Sequence, residues 1–325
     1  MFFRKVVLIM LGLALVLSGC GSPNVEEDAL TRIRLPMGYI PNIQYAPFYV
    51  AVEKGYFKEA GIEIEFDYSF ETKGVDLVAA GELPFAVVSG EQVLLARAQG
   101  LPVTYVTAWY QQYPVALIAK SELGIVVPQD LRGRKIALPG LFGANYIGLR
   151  ALLNAGELTE ADVTLDVVGF NQVELMASHQ QDIIVGYAAN EPLQLKAQGI
   201  AVTELRVADY AQLAANGLLA SEKVIAEDPD LVRAFVGAFL KGLQDTLDNP
   251  DEAFELSKAH IPNFADLDAD VQRAVLETSL EQWQAERLGY SDPQAWDNMQ
   301  DVLLEMGLLT AEQDMSKAFT NEFVP

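Results

Sequence analysis

The chain has 325 residues, 51% of them hydrophobic, and a formal charge of −23 from 45 acidic and 22 basic residues. That length fills two domains of ordinary size and that apolar fraction can build their cores, which excludes a disordered chain. The charge excludes nucleic acid as a partner, because phosphate binding needs clustered cations, and it disfavours lying flat on anionic lipid.

The N-terminus predicts export. Arg4 and Lys5 precede an apolar run over residues 6–17, which ends in Leu17-Ser18-Gly19-Cys20. The run is shorter than the ~20 residues a transmembrane helix needs, so residues 1–19 read as a signal peptide closed by a lipobox. Cys20, the single cysteine, would then be diacylated and become the first residue of a membrane-anchored lipoprotein. Without a second cysteine there is no disulfide framework, and stability rests on a core. Residues 20–30 are small, polar and acidic, and read as a lipid-anchored linker.

Folding is expected from Thr31. Residues 31–37 suit a strand broken by Gly38 and Pro41-Asn42, after which Pro47 can open a helix that ends at Gly55. Residues 61–68 alternate Ile62, Ile64 and Phe66 against Glu63, Glu65 and Asp67, the period of a strand with one wet face. Residues 85–88 form a short apolar strand that enters Ser89-Gly90-Glu91-Gln92, which reads as a capping box for a helix reaching Gly100. Residues 103–108 and 115–119 supply further strands. A second series begins at 130–138, passes through the loop 138–145 into a helix closing at Gly156, and continues with strands at 163–168 and 183–185. Asn190 and Pro192 then read as the cap and first position of a helix. From Asp228-Pro229 the pattern is helical: Leu231, Phe235 and Phe239 share one face, and Asp292-Pro293 opens a last amphipathic segment ending at Gly307.

This alternation predicts an α/β protein of two lobes with a helical C-terminal tail. Lobe I takes residues 31–119 and 207–325, lobe II takes 120–206, and the two crossing connections act as a hinge.

A catalytic centre is not expected. The two histidines, His179 and His260, stand far apart in polar surroundings, no metal spacing accompanies them, and lipidation would leave no free thiol. No cofactor is expected either. Helix starts at Pro47, Ser89, Gly143 and Pro192 instead offer N–H groups outside the carboxyl ends of strands, where open α/β lobes bind ligands. Aromatic residues cluster there: Tyr39, Tyr45, Tyr113 and Tyr187 as candidate ligand contacts, with Phe142, also a candidate contact, joining Phe48 and Trp109 as residues that can be either contact or core. The amides Asn42, Gln44, Asn145 and Asn190 accompany them. Such a set can grip a planar heterocycle by its faces and read its edge. Glu91 and Glu191, near helix starts, can cap or complement the dipole or accept from ligand N–H groups. Few cations stand in these loops, which argues against a polyanionic ligand.

Gly38-Tyr-Ile-Pro-Asn-Ile-Gln-Tyr-Ala-Pro-Phe-Tyr-Val-Ala51, then Glu53-Lys-Gly-Tyr-Phe57 and Ala60-Gly-Ile-Glu63, resembles the opening of a solute-binding family. That family includes bacterial thiamine-pyrimidine binding proteins and fungal pyrimidine synthases. The similarity continues through Ala80-Gly-Glu82, Leu131-Arg-Gly-Arg-Lys135, Pro139-Gly-Leu-Phe-Gly143 and Val168-Gly-Phe170, so it covers most of the chain. It implies a type II periplasmic-binding-protein fold on the extracytoplasmic face, acting as a monomer with an ABC permease and a separate ATPase. It also implies a cleft formed by the Pro41-Asn42 loop, Ser89-Gly90-Glu91, Phe142-Gly143-Ala144 and the segment from Tyr187 to Asn190. In the pyrimidine binders an Asp-Trp pair precedes Pro-Asn and a histidine follows, whereas here Gly38-Tyr39-Ile40 and Tyr45 take those places. The form is more similar to the riboflavin-binding lipoproteins of the same family, which implies riboflavin as ligand. The alternatives are a thiamine pyrimidine precursor or a nitrile- or sulfonate-type solute and, in another class, a pyrimidine-processing enzyme. The cysteine-rich motif of the fungal synthases is absent from this chain.

Overall fold

The computed structural model describes residues 30–325; the expected signal peptide, Cys20 and nearly all of the linker lie outside them. The described residues form ten strands: β1 (Thr31–Gly38), β2 (Ile62–Phe70), β3 (Phe85–Val88), β4 (Val103–Ala108), β5 (Val115–Lys120), β6 (Lys135–Leu138), β7 (Thr164–Val167), β8 (Ile183–Tyr187), β9 (Val202–Arg206) and β10 (Gly217–Ser221). β1 and β2 pair in parallel, and β1 packs beside β3 in a second group of order β3-β10-β4, where β10 runs antiparallel to both neighbours. The other five strands form one sheet of order β7-β6-β8-β5-β9.

The strand patterns explain these places. β2 buries Ile62 and leaves Glu63 on its wet face, where Arg32 of β1 donates to Glu63 at 2.7 Å. β5 buries all six of its residues, as a strand covered on both faces must. Helices begin where Pro and Gly were expected to start them: Ala46–Glu53 with Pro47 in its first turn, Gly90–Ala98, Gly143–Ala155, and Glu191–Ala197 with Pro192 in its first turn.

The chain crosses between the sheet groups twice, at residues 109–114 and 207–216. The crossings are tied together, because the backbone N–H groups of Trp109 and Tyr110 both donate to Asn216 O at 3.0 Å. β5 hydrogen-bonds to β8 and β9, so the first crossing precedes it. The expected boundary at residue 120 would cut this strand from its own sheet.

The long helix Pro229–Asp248 returns to the first sheet group. The Asp228 side chain caps it by accepting from Leu231 N at 3.0 Å, and Phe235 stacks on Phe85 with centroids 4.1 Å apart. Phe239 meets Phe48 at 4.5 Å. The tail also touches the second sheet's helix Gly143–Ala155, where Asn154 donates to Glu305 at 2.7 Å. Among the described residues no helix is long and apolar enough to cross a membrane.

Candidate functional site

A cleft opens beside the crossings, with about 790 Å³ of atom-free space when its mouth is counted. Its floor is assembled from the first loop. Asn42 accepts from Gln44 N at 2.9 Å and so starts the helical turn Ile43–Tyr45. That turn sets Gln44 to donate to Tyr110 OH at 3.1 Å and to Ser279 Oγ at 3.3 Å. Tyr45 OH donates to Met37 O at 2.6 Å, and its ring lies 5.6 Å from Trp109. Gln44, Tyr45, Trp109 and Tyr110 are all buried, so the floor is an aromatic layer fixed by its own hydrogen bonds.

The walls come from opposite sheet groups. Gly38, Tyr39, Phe70 and Glu71 stand on one side; Phe142, Gly143, Ala144, Asn145, Phe170, Tyr187, Asn190 and Glu191 stand on the other. Rings meet across the mouth: Tyr39 sets edge to face with Phe170 at 4.6 Å, and Phe70 does so with Phe142 at 5.6 Å. Phe70 also lies 5.4 Å from Phe170. Within the cleft Asn145 Oδ1 is buried and finds no hydrogen-bond partner among the described residues. A buried acceptor left single costs roughly 1–3 kcal/mol, which a ligand N–H or O–H would recover.

Among the described residues no lysine, arginine or histidine lines the cleft, whereas Glu71 and Glu191 do. Burial raises Glu191 to about 7 against the opposing hydrogen bond from Tyr187 N at 2.7 Å. Burial and then the charge of Glu91 raise Glu71 to about 8. Around neutral pH the site therefore carries less negative charge than its glutamates suggest. Among the described residues no group of three or more metal-ligating side chains is present.

Nine of the fourteen expected ligand residues line the cleft: Tyr39, Gln44, Tyr45, Phe142, Gly143, Ala144, Asn145, Tyr187 and Asn190. Five stand behind it. Asn42 spends its side chain on the cap of Gln44. Gly90 packs so closely on the second crossing that a Cβ would fall 2.6 Å from that of Ala214. Ser89 and Glu91 have no exposed surface, and Tyr113 OH is bound to Ala144 O at 3.1 Å. Ser89 also forms no side-chain cap, contrary to the expected capping box, because its hydroxyl turns to Glu71 and Glu91. The reading from sequence missed Phe70, Glu71, Phe170, Gln172 and Asn216, all on the cleft surface.

The profile of the family described as NMT1/THI5 like matches residues 42–253, well over half of the chain. Over 312 residues the chain is 47% identical to the riboflavin-binding protein RibY of Chloroflexus aurantiacus, covering 94% of this chain and 89% of that one. The chain belongs to the NMT1/THI5-like family. The formylaminopyrimidine-binding protein of Halalkalibacterium halodurans is 28% identical to this chain, with 91% of each chain covered. Solved structures agree on architecture. The alkanesulfonate-binding protein SsuA from Xanthomonas axonopodis pv. citri superposes with a TM-score of 0.70 at 16% identity, over 89% of this chain and 98% of that one. The periplasmic nitrate-binding protein NrtA from Synechocystis PCC 6803 gives 0.68 at 15% identity, over 90% and 87%. At such identities the likeness shows the periplasmic-binding-protein fold and carries no ligand.

Proposed function

We propose that this member of the NMT1/THI5-like family is the extracytoplasmic solute-binding component of an ABC importer, and that its cleft captures riboflavin. The observation that carries the reading is the cleft itself: an aromatic floor, amide edges and no cation, beside 47% identity to a riboflavin-binding protein. A planar tricyclic ring system offers faces to tyrosines and phenylalanines and an edge of N–H and C=O groups to Asn145, Asn190 and Gln44. A sulfonate or nitrate would be buried here without a counter-charge, which costs several kcal/mol. Nothing lining the cleft supplies a histidine or thiol for chemistry on the ligand, so capture and release suffice as the role.

In this reading the lobes are residues 31–114 with 207–325, and 115–206, and they pivot on the paired crossings. Cys20 would tether the mature protein by two acyl chains, and the closed form would dock on a membrane permease. Titrating ligand-free protein with riboflavin, followed by quenching of flavin fluorescence, tests the proposal. One riboflavin per chain is expected; no quenching together with saturable binding of formylaminopyrimidine would transfer the site to the pyrimidine branch.

A further inference from the structure

Behind the first wall a hydroxyl has more partners than protons. Ser89 Oγ lies 2.8 Å from Glu71 Oε2 and also hydrogen-bonds Glu91 Oε1, yet a serine hydroxyl has one hydrogen to give. With both carboxyls ionised, one of these contacts would set lone pair against lone pair beside a fully buried serine. The arrangement closes when one carboxyl keeps its proton, donates to Ser89 Oγ, and lets Ser89 donate to the other. Glu91 is the better anion of the two, because its own backbone N–H and Gln92 Nε2, the latter at 3.4 Å, donate to it and it stands in the first turn of the helix Gly90–Ala98, where the dipole favours negative charge; Tyr113 OH gives its single hydrogen to Ala144 O. Glu71 accepts from the amide of Asn216, 3.4 Å from its Oε1 on the cleft side, and from the backbone N–H of Ser89.

The backbone makes room for this carboxyl at Gly38, and Gly143 of the opposite wall comes within ordinary contact of it. Gly38 has a φ of +83°, and a Cβ there would fall 2.6 Å from Glu71 Cγ; Gly143 has a φ of +71°, and its Cβ would fall 3.6 Å from Glu71 Oε2. Resting on the reading of this cleft as the ligand site, we propose that Glu71 determines specificity. It stands as a neutral carboxylic acid whose Oε1 accepts from a ring N–H or hydroxyl of an uncharged ligand and whose proximity rejects an anionic one.

The groups facing Glu71 are Glu91, Tyr45, Tyr113 and Tyr187, with no cation among the described residues; burial pushes all three tyrosines up, so they stay neutral. The position of Glu71, raised to about 8, agrees with a retained proton. Covering Glu71 with a neutral ligand removes more water from its charged form, so ligand binding and proton retention favour each other.

The test reads the proton first without ligand. In ligand-free full-length protein labelled with 13C at the glutamate carboxyls, the resonance missing from Glu71→Gln should titrate near pH 8. Ser89→Ala, which breaks the bridge, should move that titration. A resonance titrating in the ordinary range near 4.5 would overturn the proposal. Riboflavin affinity should then fall above pH 8, approaching tenfold per pH unit, in the native protein and stay flat in Glu71→Gln, whose amide reproduces the acid's donor and acceptor. A flat or rising affinity in the native protein would overturn the specificity role. A native protein that binds no riboflavin at any pH would defeat the ligand reading instead, and the two failures are distinguishable because the carboxyl titration needs no ligand.

Discussion

Tyr45 at the floor of the cleft is 5% exposed, and its hydroxyl is spent on Met37 O, whereas Phe70 at the mouth is 46% exposed and meets Phe142 and Phe170 from the opposite wall. Both are aromatic residues lining one space. Depth gives them different work: the floor is part of the core beside the crossings, and the mouth is partly exposed surface where the two walls meet. A substitution at the floor should therefore register in stability, and one at the mouth in binding.

The largest effect is expected at the floor. Tyr45→Ala should cost about 3–5 kcal/mol of unfolding free energy, the usual range for deleting a buried aromatic ring, and should remove riboflavin binding with it. Tyr45→Phe should cost only about 1 kcal/mol, for the lost hydrogen bond. Denaturant titration checks both, and a stable Tyr45→Ala protein would break the distinction between floor and mouth. At the mouth, Phe70→Ala combined with Phe142→Ala should leave stability within about 1 kcal/mol and weaken riboflavin roughly tenfold, since aromatic pairs give ~0.5–1.5 kcal/mol each. Fluorescence titration beside thermal melts reads the two separately. Asn42→Ala should fall between the classes: losing the cap of Gln44 should cost about 1 kcal/mol, with a modest loss of affinity that follows from a looser floor.

An effect of another kind is expected in the pH dependence of stability. Glu71 and Glu191 hold protons in the folded protein up to about 8 and about 7, while in the unfolded chain they release them near 4.5. The folded state thus binds more protons in that window, and stability should decline as pH rises from 4.5 towards 8 and level off above it. Melting temperatures measured across the window should fall steadily, and Glu191→Gln should flatten the part of the slope below about 7.

How far these regions could be read in advance follows from where their signals lie. Helix starts were legible because Pro47, Gly143 and Pro192 restrict or free the backbone locally, and β2 was legible because one of its faces is wet. β10 was not legible: Leu218-Leu219-Ala220 is buried on both faces, so it lacks alternation, and with it went the neighbouring Asn216 that ties the crossings. Tyr45 read as a loop residue because Pro47 marks the helix after it, although Asn42 already starts a helical turn that buries the ring. Glu71 directly follows the last residue of an alternating strand, where an acidic residue looks solvated. Its meaning comes from Ser89, Gly143 and Asn216, which are distant in sequence and meet it only in the fold.

The measurement that bears most directly on the account is a paired titration of ligand-free protein with riboflavin and with its 5′-phosphate at pH 7. A cation-free cleft walled by Glu71 and Glu191 should take one riboflavin per chain and bind the phosphate at least about tenfold more weakly. Equal affinity for the two, or saturable binding of neither, would contradict a site built for an uncharged planar guest.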